Sequence, residues 1–396
     1  MNSSPDPVVI VSATRTPMGS FQGCFRNLSA SELGAVAISS AVERTGLAND
    51  QIEEVILGNV LMAGQGQAPA RQAALGGGLA LSTNCTTINK MCGSGMKAVM
   101  LAHDLLTAKT NRIMIAGGME SMTNAPYLLP KARSGHRMGH GQVVDSMFCD
   151  GLEDAYQKGQ LMGSFAEICA DKYAFTREEQ DEFAIRSLER ARSASDSGDF
   201  DREIAPVTVR TRNDEIVVSK DEQPFSADIQ KIPHLRPAFR KDGTVTPANS
   251  SSISDGASAL VLMLESTAVA ENLTPLARIA GHSTHAHDPS WFTTAPTDSI
   301  RKVLKQTGLA IKDVDLHEVN EAFAVVTMST MRDLDISPDN MNVRGGACAL
   351  GHPIGASGAR ILTTLISAMH DRSSKIGVAS LCIGGGEATA MVLERY

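Results

Sequence analysis

The sequence predicts an α/β protein built from two similar halves, with a long irregular segment inserted in the first half. Short apolar runs, such as residues 8–11, alternate with stretches in which apolar residues recur at helical spacing. This alternation is typical of α/β domains. A repeated tetrapeptide 262 residues apart indicates the two halves, and the alternation is lost between residues 121 and 252.

In the first half, capping residues and apolar runs mark the predicted elements. Ser29 and Glu32 have capping-box spacing, so we predict a helix from residue 30, and Gly46 is placed to stop it. Residues 55–57 and 113–116 are apolar runs that predict buried strands. The first half therefore contains the alternating strands and helices of an α/β domain.

The inserted segment combines a basic loop, a helix and a hairpin. Residues 127–141 form the loop, which carries three basic residues: Lys131, Arg133 and Arg137. Thr176 and Glu179 repeat the capping-box spacing and predict a helix. Apolar residues from 207 to 218 predict a hairpin that turns at residues 213–214. Long irregular segments in compact proteins are usually functional, so we expect this segment to cover a site.

The internal repeat assigns the two halves. Thr-Gly-Leu-Ala occurs at residues 45–48 and again at 307–310, and the same offset sets residues 92–93 beside residues 354–355. Duplicated halves would set their Gly-rich turns face to face across a pseudo-twofold axis. The predicted division is a first half of residues 1–120 and 253–274, an inserted domain of residues 121–252, and a second half of residues 275–396.

The bulk composition excludes several classes of function. A net charge of −8 argues against a general nucleic-acid binder and against binding to anionic membranes. The seven cysteines contain no CxxC pair, so neither a disulfide framework nor a zinc ribbon is expected. The chain has no signal-peptide pattern and no apolar run of about 18 residues, which a membrane span requires. We therefore expect a cytoplasmic protein.

Cys92 is the first candidate for chemistry. Gly93 and Gly95 permit a tight turn after it, and the apolar periodicity that follows predicts a helix. A thiol at a helix N-terminus lies at the positive end of the helix dipole, which favours the thiolate. The alternative is an ordinary buried cysteine, because free cysteines are often buried.

Three residues of the second half could assist Cys92. His352 lies in a Gly-rich turn and could act as a base for a thiol. Cys382 ends a predicted strand, and the N–H groups of the glycines after it, including Gly384, could stabilise an oxyanion. Asn320 lies at a strand-to-helix junction, where asparagine commonly caps a helix. Each of these residues could instead be structural.

Together these motifs resemble the thiolase family over essentially the whole chain. Four motifs occur in the family's order and spacing: CGSGMKA at 92–98, NEAFA at 320–324, GGACALGHPIGASGARI at 345–361 and LCIGGG at 381–386. The resemblance implies a thiolase-like αβαβα core, duplicated in two similar halves, with a large loop domain inserted in the first half. Within the family, the chain is most similar to the biosynthetic, acetoacetyl-CoA type.

The resemblance implies acyl transfer in two steps, in which two acetyl-CoA molecules condense reversibly to acetoacetyl-CoA and CoA. Cys92 would carry the acyl group, His352 would activate Cys92, and Cys382 would exchange the proton at the α-carbon. One oxyanion hole is implied from His352 with a water held by Asn320, and the other from the backbone N–H groups of Cys92 and Gly384. CoA and acyl-CoA are substrates, and no cofactor is implied.

The resemblance also implies the substrate contacts. It assigns Ser251 and Ala248 to contacts with pantetheine, and Met162 and Leu235 to the lining of the pantetheine tunnel. It assigns Phe323 and Phe292 to the acyl pocket. Many biosynthetic members have histidine where this chain has Leu161, and residues 221–225 lack an arginine that contacts the CoA nucleotide in some members. These differences leave the acyl-chain preference and the phosphate contacts open.

Two charged clusters each have two interpretations. The three basic residues of loop 127–141 could contact the CoA phosphates, but the loop resembles the segment by which thiolases assemble, so we expect a homotetramer. His282, His285 and His287 have no acidic or cysteine ligand at convincing spacing. We therefore predict no metal site, and place these histidines in a loop that borders the substrate pocket.

Three other functions compete with the biosynthetic thiolase. A degradative 3-ketoacyl-CoA thiolase of broader chain length uses the same catalytic residues. A decarboxylating ketoacyl synthase pairs its cysteine with two histidines, whereas this chain has Cys382 and Asn320 in the supporting positions. A non-catalytic CoA- or lipid-binding relative has no need for Cys92, His352, Cys382 and Asn320 together.

Overall fold

The described part of the protein is a computed structural model of residues 6–211 and 214–396. Within it the strands are β1 (Val8–Arg15), β2 (Gly19–Ser20), β3 (Glu54–Gly58), β4 (Asn84–Ile88), β5 (Ile113–Ser121), β6 (Tyr127–Leu128), β7 (Val144–Asp145), β8 (Val207–Arg210), β9 (Glu215–Val218), β10 (Ser254–Leu264), β11 (Ala277–Ala286), β12 (Leu316–Val319), β13 (Ile376–Ile383) and β14 (Glu387–Arg395). The helices are α1 (Ala30–Glu43), α2 (Pro69–Gly76), α3 (Ser94–Thr107), α4 (Met162–Tyr173), α5 (Arg177–Ser197), α6 (Gln223–Ser226), α7 (Glu265–Ala270), α8 (Ala295–Thr307), α9 (Ala324–Leu334), α10 (Ala347–Leu350) and α11 (Ser357–Asp371).

The central sheet has the same strand order on both sides of its middle. Its order is β12-β13-β14-β11-β1-β10-β5-β3-β4, and β2 pairs with β10. From the middle outward, the first half therefore runs β1, β10, β5, β3, β4 and the second runs β11, β14, β13, β12. The halves join where Val9 and Ile10 of β1 pair with Arg278 and Ala277 of β11. This order fits the duplication that the repeat predicts.

Helices cover both faces of each half of the sheet. On the outside, α1 and α2 pack together and α1 lies on β10 and β5, while α8 lies on β11, β13 and β14. Between the halves, α3 packs on β3 and β5, α11 packs on β12 and β13, and the two helices contact each other. The resulting layers are αβαβα, and the two central helices begin at the Gly-rich turns that carry Cys92 and His352.

The predicted helix boundaries follow the capping residues. Ser29 accepts from the backbone N–H of Glu32, whose side chain accepts from the Ser29 N–H, and Thr176 caps α5 in the same way. The hairpin of β8 and β9 pairs Val207 with Val218. Asn213, in the predicted turn of this hairpin, lies outside the described residues. Local capping chemistry therefore set these boundaries as expected.

The two central helices approach each other backbone to backbone at their N-terminal ends. A Cβ at Gly358 of α11 would lie 2.3 Å from the backbone nitrogen of Met96 in α3. A Cβ at Gly95 of α3 would lie 2.7 Å from the backbone nitrogen of Ala359. Only glycine fits at this crossing, and the crossing brings the turn of Cys92 to the turn of His352.

A buried charge cluster attaches the inserted domain to the core. Arg15 of β1 is fully buried and donates to Glu203 at 2.5 Å and to both carboxylate oxygens of Asp221, at 2.7 and 2.9 Å. The backbone N–H of Met18 also donates to Asp221, at 2.8 Å. Asp221 belongs to the segment that lacks the family's arginine, and its carboxylate faces the core.

The state of the cysteines and the character of the helices can be read from the structure. Each of the seven cysteines is a free thiol. None of the helices in the described residues combines the length and apolarity that crossing a membrane requires.

Candidate active site

A cavity of about 370 Å³ lies where the turns of Cys92 and His352 meet, and the inserted domain forms its other wall. Cys92, His352, Cys382 and Gly384 all line this cavity. They come from separate positions in the chain, and the crossing of α3 and α11 together with the end of β13 brings them together. Four of the five predicted catalytic residues therefore face one space.

Cys92 lies in a tight turn before α3. Met91 has a positive φ of 48°, and its backbone N–H donates to the side-chain oxygen of Asn89 at 2.9 Å. Burial raises the pKa of the Cys92 thiol to about 11, although the N–H groups of Gly384 and Cys92 lower it. The expectation that the helix terminus favours the thiolate is therefore wrong for the resting protein, because desolvation of the charge outweighs these donors.

His352 is placed to act as a base through one ring nitrogen. Its Nδ1 lies 2.6 Å from the Ser357 hydroxyl, which itself donates to the carbonyl of Pro353 at 3.0 Å. Since that hydroxyl has one proton, we assign it as the acceptor of the Nδ1–H, which leaves a lone pair on Nε2. Nε2 is buried and has no hydrogen-bond partner among the described residues. Burial and then the charge of Arg360 lower the pKa of His352 to about 3, so the ring is neutral.

Cys382 and Gly384 come to the cavity from the end of β13 and the turn that follows it. Cys382 lies at the end of β13 and is 1% exposed. Burial raises the pKa of its thiol well above the ordinary value, and the neighbouring Cys92 raises it further. The two thiols are therefore close enough for the charge of one to oppose the ionisation of the other.

Asn320 lies beside His352 but does not line the cavity. Its Nδ2 is 3.5 Å from His352 Nδ1, and its Oδ1 accepts from Arg360 Nη2 at 3.4 Å. The expectation that Asn320 caps the next helix is wrong, since α9 begins at Ala324 and its N-cap is Phe323. A buried hydrogen-bond network holds this amide, and the helix begins four residues later.

Comparison with known proteins is consistent with this geometry. Residues 8–266 match the thiolase N-terminal domain, and residues 273–395 match the thiolase C-terminal domain. The chain belongs to the thiolase family. Acetyl-CoA acetyltransferase 2 of Arabidopsis thaliana is 48% identical over 394 residues, covering 99% of this chain and 98% of the relative.

Two solved thiolase structures have the same fold. The acetyl-CoA acetyltransferase of Bacillus anthracis superimposes with a TM-score of 0.96 at 40% identity, covering 99% of this thiolase and all of that chain. A thiolase of Ascaris suum in complex with coenzyme A superimposes with a TM-score of 0.94 at 42% identity, over 98% of this chain and 100% of the other. The predicted fold class and family are therefore confirmed.

The predicted substrate residues divide into two groups. Four of the six line the cavity: Ser251, Met162, Phe323 and Phe292. Leu235 and Ala248 are partly buried outside the cavity lining, and Ala248 packs against a hydrophobic cluster that contains Leu350. Phe239, which the sequence did not single out, lines the cavity and meets Phe323 edge to face, with ring centroids 6.0 Å apart. Leu161, at the departure from the family, also lines the cavity.

Glu120 is a further residue of the site that sequence reasoning missed. Its buried carboxylate accepts from the N–H groups of Val60, Leu61 and Gly355 at 3.0, 3.1 and 2.9 Å. Gly355 follows the His352 turn, so Glu120 ties this turn to the first half. Burial raises the pKa of Glu120 to about 7, against the effect of these donors.

The three clustered histidines are not where the sequence placed them. His282 and His285 lie within β11, and none of the three lines the substrate cavity, so the predicted pocket-bordering loop is wrong. The strand separates the side chains. His282 contacts His103 and Asp104, whereas His285 and His287 lie near Asp298.

Proposed function

We propose that this thiolase is an acetyl-CoA C-acetyltransferase that condenses two acetyl-CoA molecules reversibly to acetoacetyl-CoA and CoA. The observation that carries the proposal is the shared cavity, where a cysteine, a neutral histidine, a second cysteine and a backbone N–H face one another. The acetyl-CoA acetyltransferases among the relatives support the choice of substrate.

In the first step, Cys92 Sγ attacks the thioester carbon of acetyl-CoA while His352 Nε2 takes the thiol proton. Collapse of the tetrahedral adduct breaks the carbon–sulfur bond to CoA, and His352 returns the proton to the leaving CoA thiolate. The pKa values of about 11 for Cys92 and about 3 for His352 support proton transfer during attack, because both groups are neutral at rest. The N–H groups of Cys92 and Gly384 stabilise the oxyanion.

In the second step, His352 accepts the thiol proton of Cys382, and the resulting Cys382 thiolate removes the α-proton of another acetyl-CoA. The enolate attacks the acetyl-Cys92 carbonyl, the bond to Cys92 breaks, and the Cys92 thiolate regains a proton from the His352 imidazolium. Acylation keeps the Cys92 sulfur uncharged, so no charge there opposes the ionisation of Cys382 in the second step. His352 and Asn320, with a bound water, are proposed to hold the enolate oxygen. CoA and acyl-CoA are the substrates, and no step requires a cofactor.

The inserted domain is proposed to bind pantetheine and to assemble the protein. Ser251 and Met162 are the candidates for pantetheine contacts, because both line the cavity. Residues 129–143, between β6 and β7, are all exposed and include Met138 at 94% exposure. An exposed arm that carries the apolar side chains of Leu129, Met138 and Val143 among its basic residues supports a homotetramer, assembled as a dimer of dimers. The free thiols of all seven cysteines support a reducing compartment such as the cytoplasm.

The deciding experiment is brief incubation with acetyl-CoA followed by mass spectrometry of tryptic peptides. We expect one acetyl group on Cys92, and loss of CoA-dependent cleavage of acetoacetyl-CoA in Cys92→Ala. In Cys382→Ser, acetylation of Cys92 should persist while condensation falls by at least 100-fold, the order of a lost general base. Cys24→Ala is the matched control and should behave as the wild type.

The same assay distinguishes the competing functions. A non-catalytic relative would bind CoA without acetylation of Cys92, and this result would reject the proposal. Faster thiolysis of longer 3-ketoacyl-CoAs than of acetoacetyl-CoA would instead indicate the degradative enzyme. Many biosynthetic members have histidine where this chain has Leu161. The Leu161→His variant tests whether the apolar side chain widens the range of acyl-chain lengths that the enzyme accepts.

A further inference from the structure

Two histidines and an aspartate converge on one point where α3 passes β11. His103 Nδ1 lies 3.1 Å from Asp104 Oδ1, and His282 Nε2 lies 3.1 Å from His103 Nδ1 and 3.0 Å from Asp104 Oδ1. The three atoms therefore form a nearly equilateral triangle. The residues do not line the substrate cavity.

The size of this triangle matches the spacing of ligands around a metal ion. Bonds of about 2.0–2.2 Å to nitrogen and oxygen place adjacent ligand atoms about 3.0 Å apart in an octahedron and about 3.4 Å apart in a tetrahedron. The observed edges of 3.0 and 3.1 Å fit one face of an octahedron. Two histidines and one carboxylate on one face, with the other positions open, are typical of transition-metal sites.

Hydrogen bonds alone leave part of the triangle unfavourable. If both imidazoles carry a proton at the converging nitrogens, two N–H groups face each other across the 3.1 Å edge. If only one of the two imidazoles carries a proton at its converging nitrogen, the lone pair of the other imidazole nitrogen faces the Asp104 carboxylate. These two acceptors then repel each other. A cation at the centre would satisfy all three lone pairs at once.

We propose that His103, Asp104 and His282 form a binding site for a divalent first-row transition-metal ion, with Zn²⁺ as the experimental probe. Imidazole and carboxylate ligands suit such ions, and water would complete the coordination. The side chain of Asp104 is 55% exposed, so the ion could enter from solvent. Lys97 is the nearby cation that opposes binding.

The proposed ion would connect the two halves of the protein. His103 and Asp104 lie on α3, which begins beside Cys92, whereas His282 lies on β11 of the second half. The sequence grouped His282 with His285 and His287, and therefore did not identify the ligands on α3. The other histidine group is less compact, since His285 Nε2 lies 3.4 Å from His287 Nδ1 and 3.6 Å from Asp298 Oδ2.

Calorimetric titration of the metal-stripped enzyme with ZnCl₂ tests the proposal. We expect one Zn²⁺ per chain at this site, with binding at least 10-fold weaker in His282→Ala and in Asp104→Asn. His285→Ala is the matched control, because it removes a histidine from the same strand, and it should bind as the wild type. If His282→Ala folds poorly, the isosteric Asp104→Asn still tests the proposal. Thiolysis of acetoacetyl-CoA at the wild-type rate shows that a variant is folded.

Crystals soaked in ZnCl₂ locate the ion by anomalous diffraction and distinguish this site from the cysteines. A peak bounded by His103, Asp104 and His282 would support the proposal. Zinc found only at thiols, or equal affinity in His282→Ala, Asp104→Asn and the wild type, would overturn it.

Discussion

Gly358→Ala tests whether the close crossing of α3 and α11 holds the catalytic turns together. The new Cβ would lie 2.3 Å from the backbone nitrogen of Met96 and 2.9 Å from its Cβ. Ordinary contacts begin at about 3.5 Å, so the helices must separate by about 1 Å. Backbone atoms cannot rotate away, and overpacking of this kind costs about 1–3 kcal/mol, partly offset by about 1 kcal/mol of helix propensity.

The consequence for activity should exceed the consequence for stability. A displacement of about 1 Å between reacting groups can reduce the rate about 100-fold. We therefore expect Gly358→Ala to lower kcat for thiolysis of acetoacetyl-CoA by 10- to 100-fold, while Tm falls by only a few degrees. The assays are steady-state kinetics and thermal unfolding followed by circular dichroism.

Gly76→Ala is the matched control for this substitution. Gly76 is exposed at the end of α2, and a Cβ there would meet one side-chain atom, the Cβ of Ala35 at 3.1 Å, which a shift of a few tenths of an ångström relieves. The change should therefore preserve kcat and alter Tm little. If Gly358→Ala keeps the kcat and Tm of the Gly76→Ala control, the crossing does not position the catalytic turns and the reasoning is refuted.

Two further predictions concern the resting thiol and the assembly. Because the pKa of Cys92 is about 11, roughly one thiol in ten thousand is ionised at pH 7, and its alkylation by iodoacetamide should rise about 10-fold per pH unit from pH 7 to 9. Peptide mass spectrometry measures this rate, and a plateau below pH 8 would indicate a preformed thiolate–imidazolium pair. Replacing residues 129–143 with a short Gly-Ser linker should convert the proposed tetramer to dimers in light scattering, and an unchanged mass would exclude the arm from the interface.

The sequence was sufficient wherever a local pattern carried the information. Ser29 and Thr176 fixed helix starts because a capping box involves only neighbouring residues. The offset of 262 residues separates the starts of β3 at Glu54 and β12 at Leu316, so the repeat was a reliable guide to the two halves. The motif order indicated the family, which the comparisons confirm.

The sequence was insufficient for properties that depend on burial and on contacts between distant segments. A helix terminus predicted a reactive thiolate at Cys92, but the pKa rises because the folded chain removes water from the thiol. Their proximity in the sequence suggested that His282, His285 and His287 form one cluster. Residues of a strand and of the loop that follows it need not share a partner.

The sequence by itself predicted the α/β class, the two similar halves and eight of the residues that line the cavity, because motifs and periodicity are local. Only the tertiary structure decided how these residues act. It placed Ser357 on His352 Nδ1, Glu120 on the turn that follows His352, and His103 beside His282. Hydrogen-bond partners and desolvation arise from segments far apart in the chain, and only the packing of the two halves brings those segments together.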